Sequence, residues 1–394
     1  MNFIWSGTTG IDKKYICTVF LEHSKKKHPD KTITIVDLED LLKEELGAED
    51  ITQILNSYNR DAQKVAWRKA FNIAQDIFHS EDSEYSILCA HLIYFRCSQF
   101  FSPMNIKLIQ EFSLDGIISF IDDIYLIKQR IDQRNLESPT STDVCLRDLI
   151  AWRSVEYHQA EFLASVFEEK KPLSTQILSI KQPVTTLDYL MFESNVLKMY
   201  IGHPITVAKQ NPEIVREIEC FKSKIHREFT VFDPTTIDER LLTYSLKSQC
   251  PDWERKSNGK LAEFDITLNY KDRWPINHEP ILCENVQSLF PIKIKASEII
   301  SVMQAIDDQI RSRDYRLISQ SDIMVAYRPN LGRRLSIGVF SEMQYTRDVL
   351  FKHCQMYFPE EDGEIDESPF QGGSEAHGTI EELLENLRRY EPET

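Results

Sequence analysis

Near the C-terminus the apolar run SDIMVAY (321–327) is followed by LSIGVFSEMQ (335–344), which sets Ser336, Gly338, Ser341 and Glu342 behind the end of a strand. Small residues and a carboxylate in that place suit a site where N–H groups and hydroxyls hold an anion while the carboxylate works on a sugar. As ordinary structure the same residues make a turn, with Glu342 as a first-turn acid favoured by the helix dipole. A second such place opens the chain. NFIWSGTTGIDKK (2–14) reads as a strand, a glycine turn and a helix. There N–H groups and a helix N-terminus would face a phosphate that Lys13 could reach.

The elements that must position these residues alternate. Strand-like runs are NFIWS (2–6), TITIVD (32–37), YSILCAHLIYF (85–95), GIISFID (116–122) and TQILSI (175–180), with helical patterns at 13–26 and 60–78. A second series runs through KMYIGHPIT (198–206), a helix at 213–229, FTVFDP (229–234), a helix at 296–312, SDIMVAY, the Glu342 helix, HCQMYF (353–358) and a helix at 379–390. Strands alternating with helices predict mainly parallel sheets covered on both faces, hence an α/β chain of two Rossmann-like three-layer domains. The boundary is expected near residue 196, with 1–196 and 197–394 as the domains and a weakly patterned insertion at about 241–295.

Composition narrows the partners. A net charge of −16 opposes a nucleic-acid backbone as partner, because that binding needs a basic face. No apolar run reaches the length of a membrane span and no signal peptide opens the sequence. The 8 cysteines show no C-x-x-C pair and no zinc spacing, so they read as reduced thiols of a cytoplasmic protein with no metal site.

The N-terminal stretch resembles the P-loop of adenylate-kinase-like nucleotide kinases, S-G-x-x-G-x-G-K-[ST]. Ser6, Gly7, Gly10 and Lys13 match, and Thr8 and Thr9 fill the loop. Asp12 replaces the last glycine and Lys14 the hydroxyl residue that binds Mg²⁺. A carboxylate in the cradle repels phosphate, and the lost hydroxyl removes a metal ligand. In FIDD (120–123), Asp122 and Asp123 stand where a Walker-B acid would, and Arg130, Arg134, Arg147 and Arg153 follow where such kinases keep phosphate-binding arginines. The resemblance implies a P-loop fold that binds ATP and Mg²⁺ weakly at best and hydrolyses ATP slowly.

From about 198 to 390 the chain resembles the nucleoside 2-deoxyribosyltransferase superfamily, nearest its 2'-deoxynucleoside 5'-phosphate N-hydrolase branch. An R-D helix segment (313–314), an S-D-h-h-h-A strand and S-x-G-x-x-x-E occur in order, with YIGHPI (200–205) as a first strand and glycine loop. By that resemblance the fold is flavodoxin-like. Glu342 attacks or stabilises the sugar C1′, and Asp314 is the acid that protonates the leaving base. Ser336, Gly338 and Ser341 hold a 5′-phosphate or 5′-hydroxyl, and Gly202, His203 and Pro204 line the base side. Ser368, in SPFQGG (368–373), completes a neighbouring subunit's pocket in a homo-oligomer, a dimer or larger. Two such carboxyls should differ in proton affinity, one staying protonated.

Three functions follow. The first is cleavage or transfer at the N-glycosidic bond of a nucleotide or (deoxy)nucleoside, with no cofactor required and with possible control by nucleotide binding at the N-terminal domain. The second is an NAD- or dNTP-depleting effector of a bacterial defence system, to which the basic loop YRPNLGRR (327–334) with Arg328, Arg333 and Arg334 would lend charge for a larger phosphate group. The third is a non-catalytic nucleotide sensor or assembly protein.

Overall fold

A computed structural model of the chain describes residues 1–48, 51, 54–55, 59–96, 98–137, 144–167, 173–253, 264–277, 280–329, 336–359 and 375–391. They fall into two compact units. One comprises Met1–Ile180, Glu239–Arg273 and Leu282–Asp307, the other Lys181–Asp238, Trp274–Ile281 and Asp308–Thr394. Each carries a five-stranded, wholly parallel sheet, so the α/β class read from the sequence holds. Among the described residues no helix is long and apolar enough to cross a membrane.

In the first unit the strands are β1 (Asn2–Gly7), β2 (Ile33–Asp37), β3 (Tyr85–Cys89), β4 (Gly116–Ile121) and β5 (Ser174–Ser179), ordered β2-β3-β1-β4-β5. Successive side chains point to opposite faces, and both faces are buried, which is why these strands read as unbroken apolar runs. Ile4, Leu88 and Ile117 join one core, with Trp67 and Phe71 of α2 (Arg60–Ser80). On the other face Trp5 meets Phe20 of α1 (Lys13–Lys27) and Phe120 edge-on, at centroid distances of 5.1 and 5.5 Å. Two further helices matter below: α3 (Ile124–Glu137) and α4 (Leu146–Phe167).

The second unit contains β6 (Lys198–Gly202), β7 (Thr230–Phe232), β8 (Ile323–Tyr327), β9 (Cys354–Tyr357) and β10 (Glu375–His377), ordered β10-β9-β8-β6-β7. Counted within the unit this is the flavodoxin-like order 2-1-3-4-5, whose switch point lies between its first and third strands. Here those strands are β6 and β8. Ile201 and Val325 share a core with Ile218 and Phe221 of α5 (Pro212–Ile225). The helices that follow are α6 (Ala296–Ser319), of which the part from Asp308 belongs to this unit, α7 (Ile337–Gln344) and α8 (Ile380–Arg389), the last opened by a Thr379–Glu382 capping box.

Three expectations change. The strand read over 85–95 stops at Cys89, because the amides of Leu92 and Ile93 turn to the Glu156 carboxylate instead of a neighbouring strand. The boundary lies at Ile180, not near 196, because the helix Val184–Phe192 packs on β7 of the second sheet. Most of the supposed insertion at 241–295 belongs with the first unit, where Asp265–Leu268 pairs antiparallel with Ile292–Lys295.

A charged cluster lies inside the second unit. Lys222 of α5 is buried with Glu219 and with Asp233, 2.6 Å away, while Glu219 also accepts from Trp274 Nε1 at 2.7 Å and Asn277 at 2.9 Å. Burial favours neutral forms of Lys222 and Asp233, but their mutual attraction wins, raising the lysine and holding Asp233 well below the usual carboxylate range. Removing the cation leaves two buried acids unpaired. Lys222→Met should therefore cost on the order of 3–5 kcal/mol in urea unfolding. A loss near zero would mean that this cluster is not a structural anchor.

Candidate active site

Glu342 is placed by the start of α7. Ser336 is its N-cap, with extended backbone and Oγ accepting from Val339 N at 3.2 Å. This cap turns Val339, Glu342 and Met343 inward and leaves Ile337, Gly338 and Ser341 exposed. The Glu342 carboxyl lies against Gly202, the last residue of β6. A Cβ on Gly202 would stand 2.8 Å from Glu342 Oε2 and 2.6 Å from Met324 Cε, so an added methyl would push both flexible side-chain ends back from this approach. The acid thus sits at the switch point between β6 and β8.

Its surroundings are poor in partners. Glu342 Oε2 and the Tyr200 hydroxyl are both buried neighbours, close enough to affect each other's ionisation yet not aligned into a well-formed hydrogen bond. Asp314, on α6, is buried and bound by its sequence neighbour. Arg313 Nε and Nη2 donate to its Oδ1 at 3.0 and 2.8 Å, and Arg313 Nη1 reaches the Ile237 carbonyl at 3.3 Å. Burial, and next the charge of Asp314, push the Glu342 carboxyl well above the usual range. Burial thus favours the protonated form of Glu342, while Arg313 bonds Asp314.

Other predicted residues take different parts. His203 is buried with both ring nitrogens unpartnered, stacked at a tilt 5.3 Å from Trp274. Burial, then Lys222, lower it to about 3, so it stays neutral. Pro204 begins the short helix Ile205–Ala208. Ser368, Arg333 and Arg334 lie outside the described residues. Sequence reading gave no role to Tyr200 or Arg313, although each stands inside a quoted motif. Their signal is positional: Tyr200 precedes Gly202 by two on the same strand face, and Arg313 flanks the acid.

In the first unit a cavity of about 480 Å³ opens where β1, β2 and β3 end, lined by Thr9, Gly10, Lys13, Glu39, His91 and Arg130 among others. Gly10 has φ +90°, a left-handed conformation that suits glycine. Much of the loop's capacity for anions is used internally. Ile11 N donates to Thr8 O, Lys13 N to Ile11 O, and Gly7 N to Glu156 Oε1 of α4. Thr8 is buried. Asp12 caps α1 by accepting from Tyr15 N at 3.0 Å. Lys13 Nζ lies 3.2 Å from His91 Nε2, and burial, then Lys13, push that ring well below the usual histidine range. Burial lifts Glu156 to about 7 against the N–H groups of Leu92, Ile93 and Gly7.

The expected metal acid is committed too. Asp122 is buried and its Oδ2 is 2.7 Å from Arg130 Nη1, so a cation there would have to displace the guanidinium. Asp123 pairs with Arg273 at 3.4 Å. Arg153 pairs bidentately with Glu239 at 2.6 and 3.1 Å, and Arg147 donates to the Ser301 carbonyl. Of the four arginines read as phosphate ligands, Arg130 and Arg134 line the cavity, while Arg147 and Arg153 serve the scaffold.

The Glu342 proton has a consequence for stability. Its affinity is higher folded than unfolded, so wild-type stability falls as pH rises from the ordinary 4.5 toward the raised folded value. Gln cannot ionise and escapes that loss. Glu342→Gln should melt above wild type at pH 7.5, by about 2–4 °C for each kcal/mol recovered, with the gap closing at about pH 4. Scanning calorimetry across that range checks it; a gap that widens on acidification would contradict a protonated Glu342.

No protein-family model matches the chain, and no curated protein matches it.

Proposed function

We propose that the second unit cleaves or transfers at the N-glycosidic bond of a nucleotide or (deoxy)nucleoside. The observation that carries this reading is the Glu342 carboxyl enclosed against Gly202 at the switch point, within the field of Asp314. Open parallel sheets bind ligands there, and burial favours the protonated form of Glu342 beside Asp314. Glycosidic cleavage needs two such groups: one oxygen attacks C1′ while one proton goes to the departing base.

In this reading the bond from C1′ to the base nitrogen breaks as the Glu342 oxygen bonds to C1′. The electron pair leaves with the base, which takes the proton by way of Asp314. Water, or the N–H nitrogen of a second base, then displaces the Glu342 oxygen from C1′ and gives its proton to Asp314, which restores the starting state. The N-terminus of α7, with Ser336, Gly338 and Ser341, faces a 5′-phosphate or 5′-hydroxyl. His203 bounds the base as an uncharged surface.

Incubating the protein with a panel of nucleosides, 5′-nucleotides, dNTPs and NAD, and following free base chromatographically, tests this reading. Glu342→Gln and Asp314→Asn should each lower base release on the best substrate by about 10³-fold or more, equal to roughly 4 kcal/mol of lost transition-state stabilisation. Absence of free base across the panel, or near-normal turnover by Glu342→Gln, refutes it. The preferred phosphate length separates nucleotide turnover from depletion of NAD or dNTPs.

For the first unit we infer a weak nucleotide site without brisk hydrolysis, supported by the internal bonds of the glycine loop and the Asp122–Arg130 pair. Phosphate release from ATP with Mg²⁺ should stay near background. Rapid release that vanishes in Lys13→Ala would reverse this reading.

A further inference from the structure

Cys17 on α1 and Cys89 at the end of β3 lie with their sulfurs 3.4 Å apart. Cys17 is partly exposed and Cys89 is buried. Cys17 follows Lys13 by one helical turn, so both side chains leave α1 on the same face. Cys89 precedes His91 by two residues. Two contacts therefore tie the first turns of α1 to the end of β3: Lys13 to His91 at 3.2 Å, and Cys17 to Cys89. The first of them lies in the wall of the 480 Å³ cavity.

We propose that Cys17 and Cys89 are a redox modification site that closes to a reversible disulfide under peroxide. The sulfurs need to approach by about 1.4 Å to reach bonding distance. Cys17, the accessible member, reacts first: its thiolate sulfur takes one oxygen from hydrogen peroxide, giving a sulfenic acid and hydroxide. The Cys89 sulfur then attacks the Cys17 sulfur, and its proton leaves with the sulfenic oxygen as water. The two thiols give up two electrons in all and the peroxide accepts them. Hydrogen bonding to Cys17, then burial, keep Cys89 protonated well above the ordinary thiol range, which fits it as the second and not the first to react. Closure draws α1 toward β3 beside Lys13 and His91, so oxidation reaches the wall of the cavity.

The test treats the full-length protein with a few equivalents of hydrogen peroxide, blocks free thiols with N-ethylmaleimide under denaturing conditions, and maps peptides by mass spectrometry. The expected product is a cross-linked pair of peptides carrying Cys17 and Cys89, about 2 Da below their sum, that dithiothreitol separates. The oxidised protein should melt several degrees above the reduced one, and Cys17→Ser and Cys89→Ser should abolish both the cross-link and the shift. Cross-links confined to the exposed Cys145 and Cys220, or Cys17 carried to sulfinic acid without linkage, overturn the proposal. The mapping is done on wild-type protein, so a variant that fails to fold leaves the test intact.

Discussion

A charge taken out of water must be answered where it lies, and much of this chain is arranged to do that at the carboxyl ends of parallel strands. Lys222 is answered by Glu219 and Asp233, Arg153 by Glu239, Arg130 by Asp122, and Glu156 by three backbone N–H groups. Glu342 is treated differently. Its Oε2 is packed on a glycine with no hydrogen bond, the cation Arg313 bonds Asp314, and the remaining way to lower the cost is to keep a proton. Sites of chemistry are often where such a cost is tolerated.

The same accounting separates the two units. In the first, the residues that could meet a phosphate have found partners within the protein: Asp12 caps a helix, Gly7 N serves Glu156, and Asp122 serves Arg130. A ligand there competes with bonds already made. In the second, the helix opening at Ser336 leaves Gly338 and Ser341 exposed, and a Cβ at Gly338 would find nothing closer than Ser336 Oγ at 3.9 Å.

The cavity and the dithiol of the first unit are linked by α1. Lys13 and Cys17, one turn apart, face the end of β3. Farther along α1, Phe20 packs on Trp5 of β1.

By itself the sequence determined the α/β class and nearly every strand that holds a site. Unbroken apolar runs such as GIISF and IMVAY can be buried on both faces only in covered parallel sheets. It also placed Glu342 behind the strand carrying Val325, which follows from the local pattern, whereas the helical pattern was read only to 312 and Asp314 on that helix was implied by the resemblance. The three-residue strand Glu375–His377 carries too little pattern to be read, and the helix Val184–Phe192 bears no mark of which sheet it will cover. Only the tertiary structure decided that Gly202 meets Glu342, that Arg313 turns to its neighbour Asp314, and that burial raises the proton affinity of Glu342. The first depends on a distance between segments more than 100 residues apart and the others on burial and side-chain direction, and none of these is encoded in the spacing along one strand or helix.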